Sequence, residues 1–182
     1  MINYDSFCKK VLFSDEAITQ AVNEIAQKIN SDFDGEEVIF VTVLNGAFMF
    51  ATDLIKKVKL DCYIDFIQCS SYGDGTTTSR KTNIKKDLSL DITNKNVIIV
   101  EDILDSGYTL KNLIEYLQSK NPKCIKTAVF MDKTARREVE IEADYVAVTQ
   151  DEDEFIIGYG LDYAQKYRNL PYVGILKEHL HS

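Results

Sequence analysis

The chain has 182 residues, of which 45% are hydrophobic and 27% charged, the composition of one soluble globular domain able to bury a core. A formal net charge of −8 argues against a broad nucleic-acid-binding surface, which needs clustered lysines and arginines; a small anionic ligand held by backbone dipoles, a metal ion and a few cations stays open. No apolar stretch has the length of a bilayer span, Met1–Asp5 has neither the basic start nor the apolar run of a signal peptide, and Cys8, Cys62, Cys69 and Cys124 are scattered without zinc-like or redox spacing, so a cytoplasmic protein with reduced thiols and no membrane partner is expected.

In chain order, Ser14 followed by Asp15 and Glu16 reads as a helix start. Ile18, Ala21, Val22, Ile25, Ala26 and Ile29 then recur at helical spacing and predict a packing helix from about Asp15 to Asn30. Val38–Leu44 is an unbroken β-branched and apolar run, expected to be a strand buried on both faces. Asn45-Gly46 breaks it, and Ala47–Lys57 reads as a second helix. Leu60–Ser70 is another strand. Ser71–Lys86 is polar, glycine- and threonine-rich and without apolar periodicity, the signature of a long functional or disordered loop. Val97–Val100 is a third buried strand, Tyr108–Ser119 a helix, and Cys124–Met131 and Tyr145–Val148 further strands. Strands alternating with helices predict an α/β fold with a mainly parallel sheet.

The segment from Val97 to Leu110 carries the chemistry. A buried strand runs into Glu101 and Asp102, then a short loop with Asp105, then Ser106-Gly107-Tyr108-Thr109 at a helix entry. In open α/β sheets, ligands sit outside the carboxyl ends of strands. The helix N-terminus points unpaired N–H groups outward, Gly107 allows a close backbone approach, and the Ser106 and Thr109 hydroxyls add donors, together a cradle for phosphate. Glu101 and Asp102 suit ribose hydroxyls or the waters of a metal, and Asp105 is placed to move a proton on a bound base. Acids beside an anion cradle are unfavourable unless a cation or sugar engages them, so this strand–loop–helix context points to a site rather than to a solvated turn.

Glu101–Thr109 resembles the phosphoribosyl pyrophosphate motif of the type I phosphoribosyltransferases. The resemblance spans nearly the whole chain and is strongest to the branch acting on hypoxanthine and guanine. It implies that family's fold over residues 1–182 as one domain: a mainly parallel central sheet flanked by helices, a small hood from the chain start and about 151–182, and a flexible lid over about 71–86. It implies purine salvage, in which the 5-phosphoribosyl group passes from phosphoribosyl pyrophosphate to hypoxanthine or guanine, giving IMP or GMP and pyrophosphate, with xanthine left open. By the resemblance, Glu101 and Asp102 hold the ribose, Ser106, Gly107, Tyr108 and Thr109 hold the 5′-phosphate, and Asp105 acts at N7 of the purine.

The same resemblance assigns pyrophosphate to Leu44, Asn45 and Gly46, whose first peptide bond can be cis, and to Arg168. Family members often carry Lys or Arg where this chain has Asn45, which leaves backbone N–H groups as the expected contact. Lys133 in Met131-Asp132-Lys133-Thr134 would donate to O6 of a 6-oxopurine. Phe155 would stack on the base and Ile156 would read its edge, although from composition alone Phe155–Ile157 reads as core. Asp162 would contribute near the base and, with Glu101 and Asp102, toward Mg2+. Ser71 and Tyr72 open the expected lid. Arg136 and Arg137 receive no role. Homodimers or homotetramers are expected. A transferase for another base, and a non-catalytic nucleotide sensor or RNA binder on the same fold, are the alternatives; an intact Asp105 and the acidic balance weigh against the second.

Overall fold

A computed structural model describes residues 7–71, 82–151 and 154–180. The elements in chain order are β1 (Cys8–Phe13), α1 (Asp15–Asp32), β2 (Val38–Leu44), α2 (Phe48–Ile55), β3 (Cys62–Ser71), β4 (Thr82–Lys86), β5 (Asn96–Leu104), α3 (Tyr108–Gln118), β6 (Cys124–Asp132), β7 (Tyr145–Thr149), β8 (Ile156–Ile157) and β9 (Val173–Leu176). Ser14 caps α1 by accepting the Ala17 N–H at 3.3 Å, with Asp15 and Glu16 in the first turn, which satisfies an orphan donor and suits the helix dipole. The stripe Ile18, Val22, Ile25, Ala26 and Ile29 is buried.

Six strands form the main sheet in the order β4-β3-β2-β5-β6-β7. All pairs are parallel except β3–β4 at the edge. In β2, Val38 and Phe40 pack with residues of α1 and α2, whereas Ile39, Val41 and Val43 pack with Leu110, Leu113 and Leu117 of α3. Alternation along the strand thus feeds two cores, and both faces are apolar because both carry helices. β1, β9 and β8 form a separate antiparallel sheet. Phe130 of β6, fully buried, stacks obliquely on Phe50 of α2 and on Tyr159, at 5.8 and 4.8 Å between centroids, and so joins the chain beyond β8 to the main core.

The topology locates the site. From β2 the chain crosses to β3 on one side, and from β5 it crosses to β6 on the other. The neighbouring ends of β2 and β5 are therefore a topological switch point, where crossovers diverge and leave a crevice.

Two expectations need correction. Residues 82–86, read as part of a polar loop, form β4, an antiparallel edge strand on β3; its partner strand supplies the ladder that local periodicity does not reveal. The strand expected to stop at Val100 continues to Leu104, because β6 pairs with it through Glu101, Ile103 and Leu104. Glu101 and Asp102 are strand residues, not loop residues. β1, β8 and β9 were not anticipated; each is short or pairs only with segments distant in sequence. Tyr72, with the rest of 72–81, lies outside the described residues. Among the described residues no helix is long and apolar enough to cross a membrane.

Asp65 ties the edge of the sheet together. Its buried carboxylate accepts N–H bonds from Ser89 (2.7 Å), Leu90 (2.8 Å) and Phe66 (2.7 Å). Burial alone would raise this carboxyl, but the Leu90, Phe66 and Ser89 amides and the Lys86 ammonium outweigh it and hold it below the usual range. Replacing Asp65 by Ala leaves three backbone donors without their acceptor and should destabilise the fold by about 2–3 kcal/mol in urea unfolding at pH 7. A carboxyl depressed in the folded state stabilises above its unfolded value and loses that effect as pH falls. The gap between wild type and Asp65→Asn should accordingly narrow from about pH 4 downward.

Candidate active site

Glu101 and Asp102 close the end of β5. Alternation sends Glu101 to the α3 side, with Val97 and Ile99, and Asp102 to the α1–α2 side, with Ile98 and Val100. Glu101 is 8% exposed and its Oε2 has no hydrogen-bond partner; burial, then the charge of Asp102, pushes its carboxyl well above the ordinary range. Burial also pushes Asp102 up to about 6, against the Ile103 N–H at 2.8 Å and the nearby Arg168. A buried acid with an unsatisfied oxygen beside a half-buried acid is unfavourable by itself and calls for a ligand that donates or carries positive charge.

The turn after β2 lies against them. The Leu44–Asn45 peptide bond is cis. A Cβ on Gly46 would fall 1.5 Å from Oδ2 of Asp102, so only glycine fits between this turn and the carboxylate. A Cβ on Gly160, at φ +99°, would fall 2.0 Å from the Gly46 carbonyl oxygen. The turn beyond β8 is thus seated on the turn beyond β2. Arg168 donates to the Gly160 carbonyl at 2.7 Å and pairs with Asp162 at 2.7 Å, while the second Asp162 oxygen accepts the Gln165 N–H at 2.8 Å.

Beyond β5, the Ser106 carbonyl accepts the N–H groups of Glu138 (3.0 Å) and Val139 (3.3 Å). Gly107, at φ +90°, backs onto Ile141 and Val139, where a Cβ would stand 2.7 Å from each methyl. Tyr108 and Thr109 then open α3, whose first-turn amides lack intrahelical acceptors. The loop is held open as a backbone concavity next to the buried acids, the form that suits an anion.

A cavity of about 240 Å³ opens beside this loop. Asp102, Asp105, Lys133, Phe155, Ile156 and Asp162 all line it, so six side chains singled out from sequence converge on one space. Lys133 is 4% exposed and donates to the Glu154 carbonyl at 3.2 Å. Phe155 is 40% exposed, edge-on to Tyr163 at 5.4 Å, and Ile156 is buried in β8. Glu101 is not in the lining; it lies across β5, on the face that carries Val97 and Ile99. Ser71 ends β3, paired with Thr82.

Two arginines that the sequence reading left without a role belong to the site. Arg136 lines the cavity, with its Nε 3.5 Å from an Asp105 oxygen, an ion pair without a hydrogen bond to that oxygen. Arg137 is mostly buried and donates at 2.9 Å to the Asp105 carbonyl. Their position three and four residues after Lys133 was the available signal.

Comparison with known proteins agrees with this geometry. Residues 10–164 match the phosphoribosyl transferase domain family. A hypoxanthine-guanine phosphoribosyltransferase of Streptococcus pneumoniae is 43% identical over 174 residues, covering 96% of each chain. The bifunctional protein TilS/HprT of Listeria monocytogenes is 42% identical over 174 residues, but the present chain spans only 27% of its length. The crystal structure of a hypoxanthine phosphoribosyltransferase from Staphylococcus aureus superposes with a TM-score of 0.93 at 42% identity, covering 98% of this chain and 96% of that one. The chain belongs to the phosphoribosyl transferase family, among its hypoxanthine-guanine phosphoribosyltransferases.

Proposed function

We propose that the protein catalyses purine salvage, moving the 5-phosphoribosyl group of phosphoribosyl pyrophosphate onto hypoxanthine or guanine to give IMP or GMP and pyrophosphate. The observation that carries this reading is one cavity lined by Asp102, Asp105, Lys133, Phe155 and Ile156 at the end of β5, beside a backbone anion cradle. The base enters with one face on Phe155. The Lys133 ammonium, held by the Glu154 carbonyl, donates to O6; the 6-amino group of adenine offers no acceptor there. Ile156 backbone reads the base edge and Asp162 faces its exocyclic side.

The amides of Ser106–Thr109 hold the 5′-phosphate, and Asp102 and Glu101 accept from the ribose hydroxyls. Arg168 and the N–H groups of the Leu44-Asn45-Gly46 turn take the pyrophosphate; Asn45 supplies no cation, so charge there rests on the guanidinium and the backbone. As the C1′–oxygen bond to pyrophosphate breaks and N9 bonds to C1′, the Asp105 carboxylate accepts the proton from N7. The second sheet serves as a hood over the base, and the segment joining β3 to β4, with Ser71 and Tyr72 at its start, serves as the lid that excludes water from a cation-like sugar.

Magnesium fits this donor set. Magnesium keeps several waters and takes most oxygens from substrate phosphates, so one or two carboxylates are enough to hold it. Glu101 and Asp102, one of them with an unsatisfied oxygen, and Asp162 would hold it directly or through water. Its chemistry there is to offset charge on the pyrophosphate. The four cysteines form no disulfide, which accords with a cytoplasmic protein.

Assembly into homodimers or homotetramers is part of the same proposal. Ile64 and Phe66, on one face of β3, are 47% and 39% exposed, and Phe48 at the start of α2 is 39% exposed. Large side chains on a sheet face in water suit burial against a second copy.

Three measurements test these readings. A spectrophotometric assay with hypoxanthine, guanine, xanthine and adenine should show turnover with the first two, none with adenine, and loss of activity when magnesium is chelated; magnesium-independent turnover would remove the metal from the scheme. Asp105→Asn should lower kcat by about a hundredfold or more while leaving nucleotide binding largely intact, and unchanged turnover would remove Asp105 from proton transfer. Ile64→Asp combined with Phe66→Asp should shift the mass in light scattering from oligomer to monomer.

A further inference from the structure

Arg137 lies behind the site, outside the cavity lining, yet all three nitrogens of its planar fork are engaged. Nε donates to the Asp105 carbonyl at 2.9 Å, and one terminal nitrogen donates to the Leu104 carbonyl at 3.2 Å and pairs with the Asp132 carboxylate. The other terminal nitrogen donates to the Ile141 carbonyl. Its side chain is 17% exposed. These partners are not a random set. Leu104 ends β5 and Asp105 follows it, and Asp132 ends β6, immediately before Lys133. A single rigid group therefore grips the backbone that carries the proton acceptor and the strand end that carries the O6 donor. The Lys133 N–H also bonds the Leu104 carbonyl at 2.9 Å, so both strand ends meet at the oxygen the guanidinium touches.

We infer that Arg137 is a positioning residue that sets the spacing between Asp105 and Lys133, and so the register in which the purine edge is read. The inference rests on the base orientation proposed above. Lysine cannot replace the fork: a point charge on a flexible stem reaches one or two of these acceptors but not carbonyls and a carboxylate on several sides. The anion cradle rests on the Glu138 and Val139 amides, which hold Ser106, and meets only the aliphatic stem of Arg137, whose Cδ would stand 3.1 Å from a Cβ on Gly107 and which lysine retains. Loss of the fork should consequently move the base contacts more than the sugar-phosphate contacts.

The test is Arg137→Lys, assayed with hypoxanthine and phosphoribosyl pyrophosphate, alone and combined with Lys133→Ala. We expect kcat to fall about tenfold to a hundredfold, as for a small misplacement of reacting groups, while KM for phosphoribosyl pyrophosphate changes by less than about threefold. In the Lys133→Ala background the further loss should shrink to about threefold or less, since a spacing has no effect once one end of it is gone. Asp132→Asn, which keeps an acceptor for the fork but removes its charge, should lower kcat in the same sense with a smaller factor. An active wild type with Arg137→Lys kcat within twofold overturns this inference alone, as does full multiplication of the two single effects. Reduced thermal stability with unchanged kcat per folded molecule, in either Arg137→Lys or Asp132→Asn, overturns it too. No transfer by the wild-type chain sinks the functional reading and this inference with it.

Discussion

Three pieces of chain meet at Gly46 with no room for a side chain. On one side is the Asp102 carboxylate at the end of β5, and on the other is Gly160 in the turn beyond β8. The contact is steric rather than attractive, and its consequence is order. It holds the turn after β2, the end of β5 and the turn beyond β8 at fixed separations, so that Asp102 and Asp162 line one cavity. Protein interiors are close-packed and respond to a single added methyl group, so the arrangement tolerates little change at Gly46 or Gly160.

Burying two carboxylates at a strand end is unfavourable in isolation, and the fold does little to relieve it. Asp102 has the Ile103 amide, and Glu101 keeps an oxygen with no partner. The cations nearby are engaged elsewhere: Arg168 with Asp162 and the Gly160 carbonyl, Lys133 with the Glu154 carbonyl. Contrast Asp65, a buried carboxylate surrounded by three amides and lowered below its ordinary range. Asp65 holds the sheet edge together, whereas Glu101 and Asp102 stand near the end of β5 with fewer donors. The same sheet thus supplies donors to one carboxylate and withholds them from the others.

Much of this was legible along the chain. The helical stripe from Ile18 to Ile29, the both-face apolar run Val38–Val43 and the acid–acid–turn–glycine sequence from Glu101 to Thr109 are local patterns, and the local pattern is sufficient because each residue's role depends on neighbours within a few positions. The readings that failed, or were never made, depend on partners far away. β4 is a strand because β3 lies beside it. β5 runs on through Glu101 and Asp102 because β6 continues the ladder. Arg136 and Arg137 look like solvated charges until the end of β5 is folded against them, and β1, β8 and β9 have no periodicity long enough to read.

Composition, hydrophobic period and one motif by themselves determined the α/β class and the strand that runs into two acids before a glycine-containing helix entry. Tertiary structure alone decided that Lys133, Phe155, Ile156 and Asp162 share a cavity with Asp102 and Asp105, that Glu101 lies across the strand from it, and that Gly46 and Gly160 touch. Propensity and periodicity act over a turn or a strand, whereas convergence is set by which strands are neighbours and on which side each crossover passes, a property of the assembled sheet.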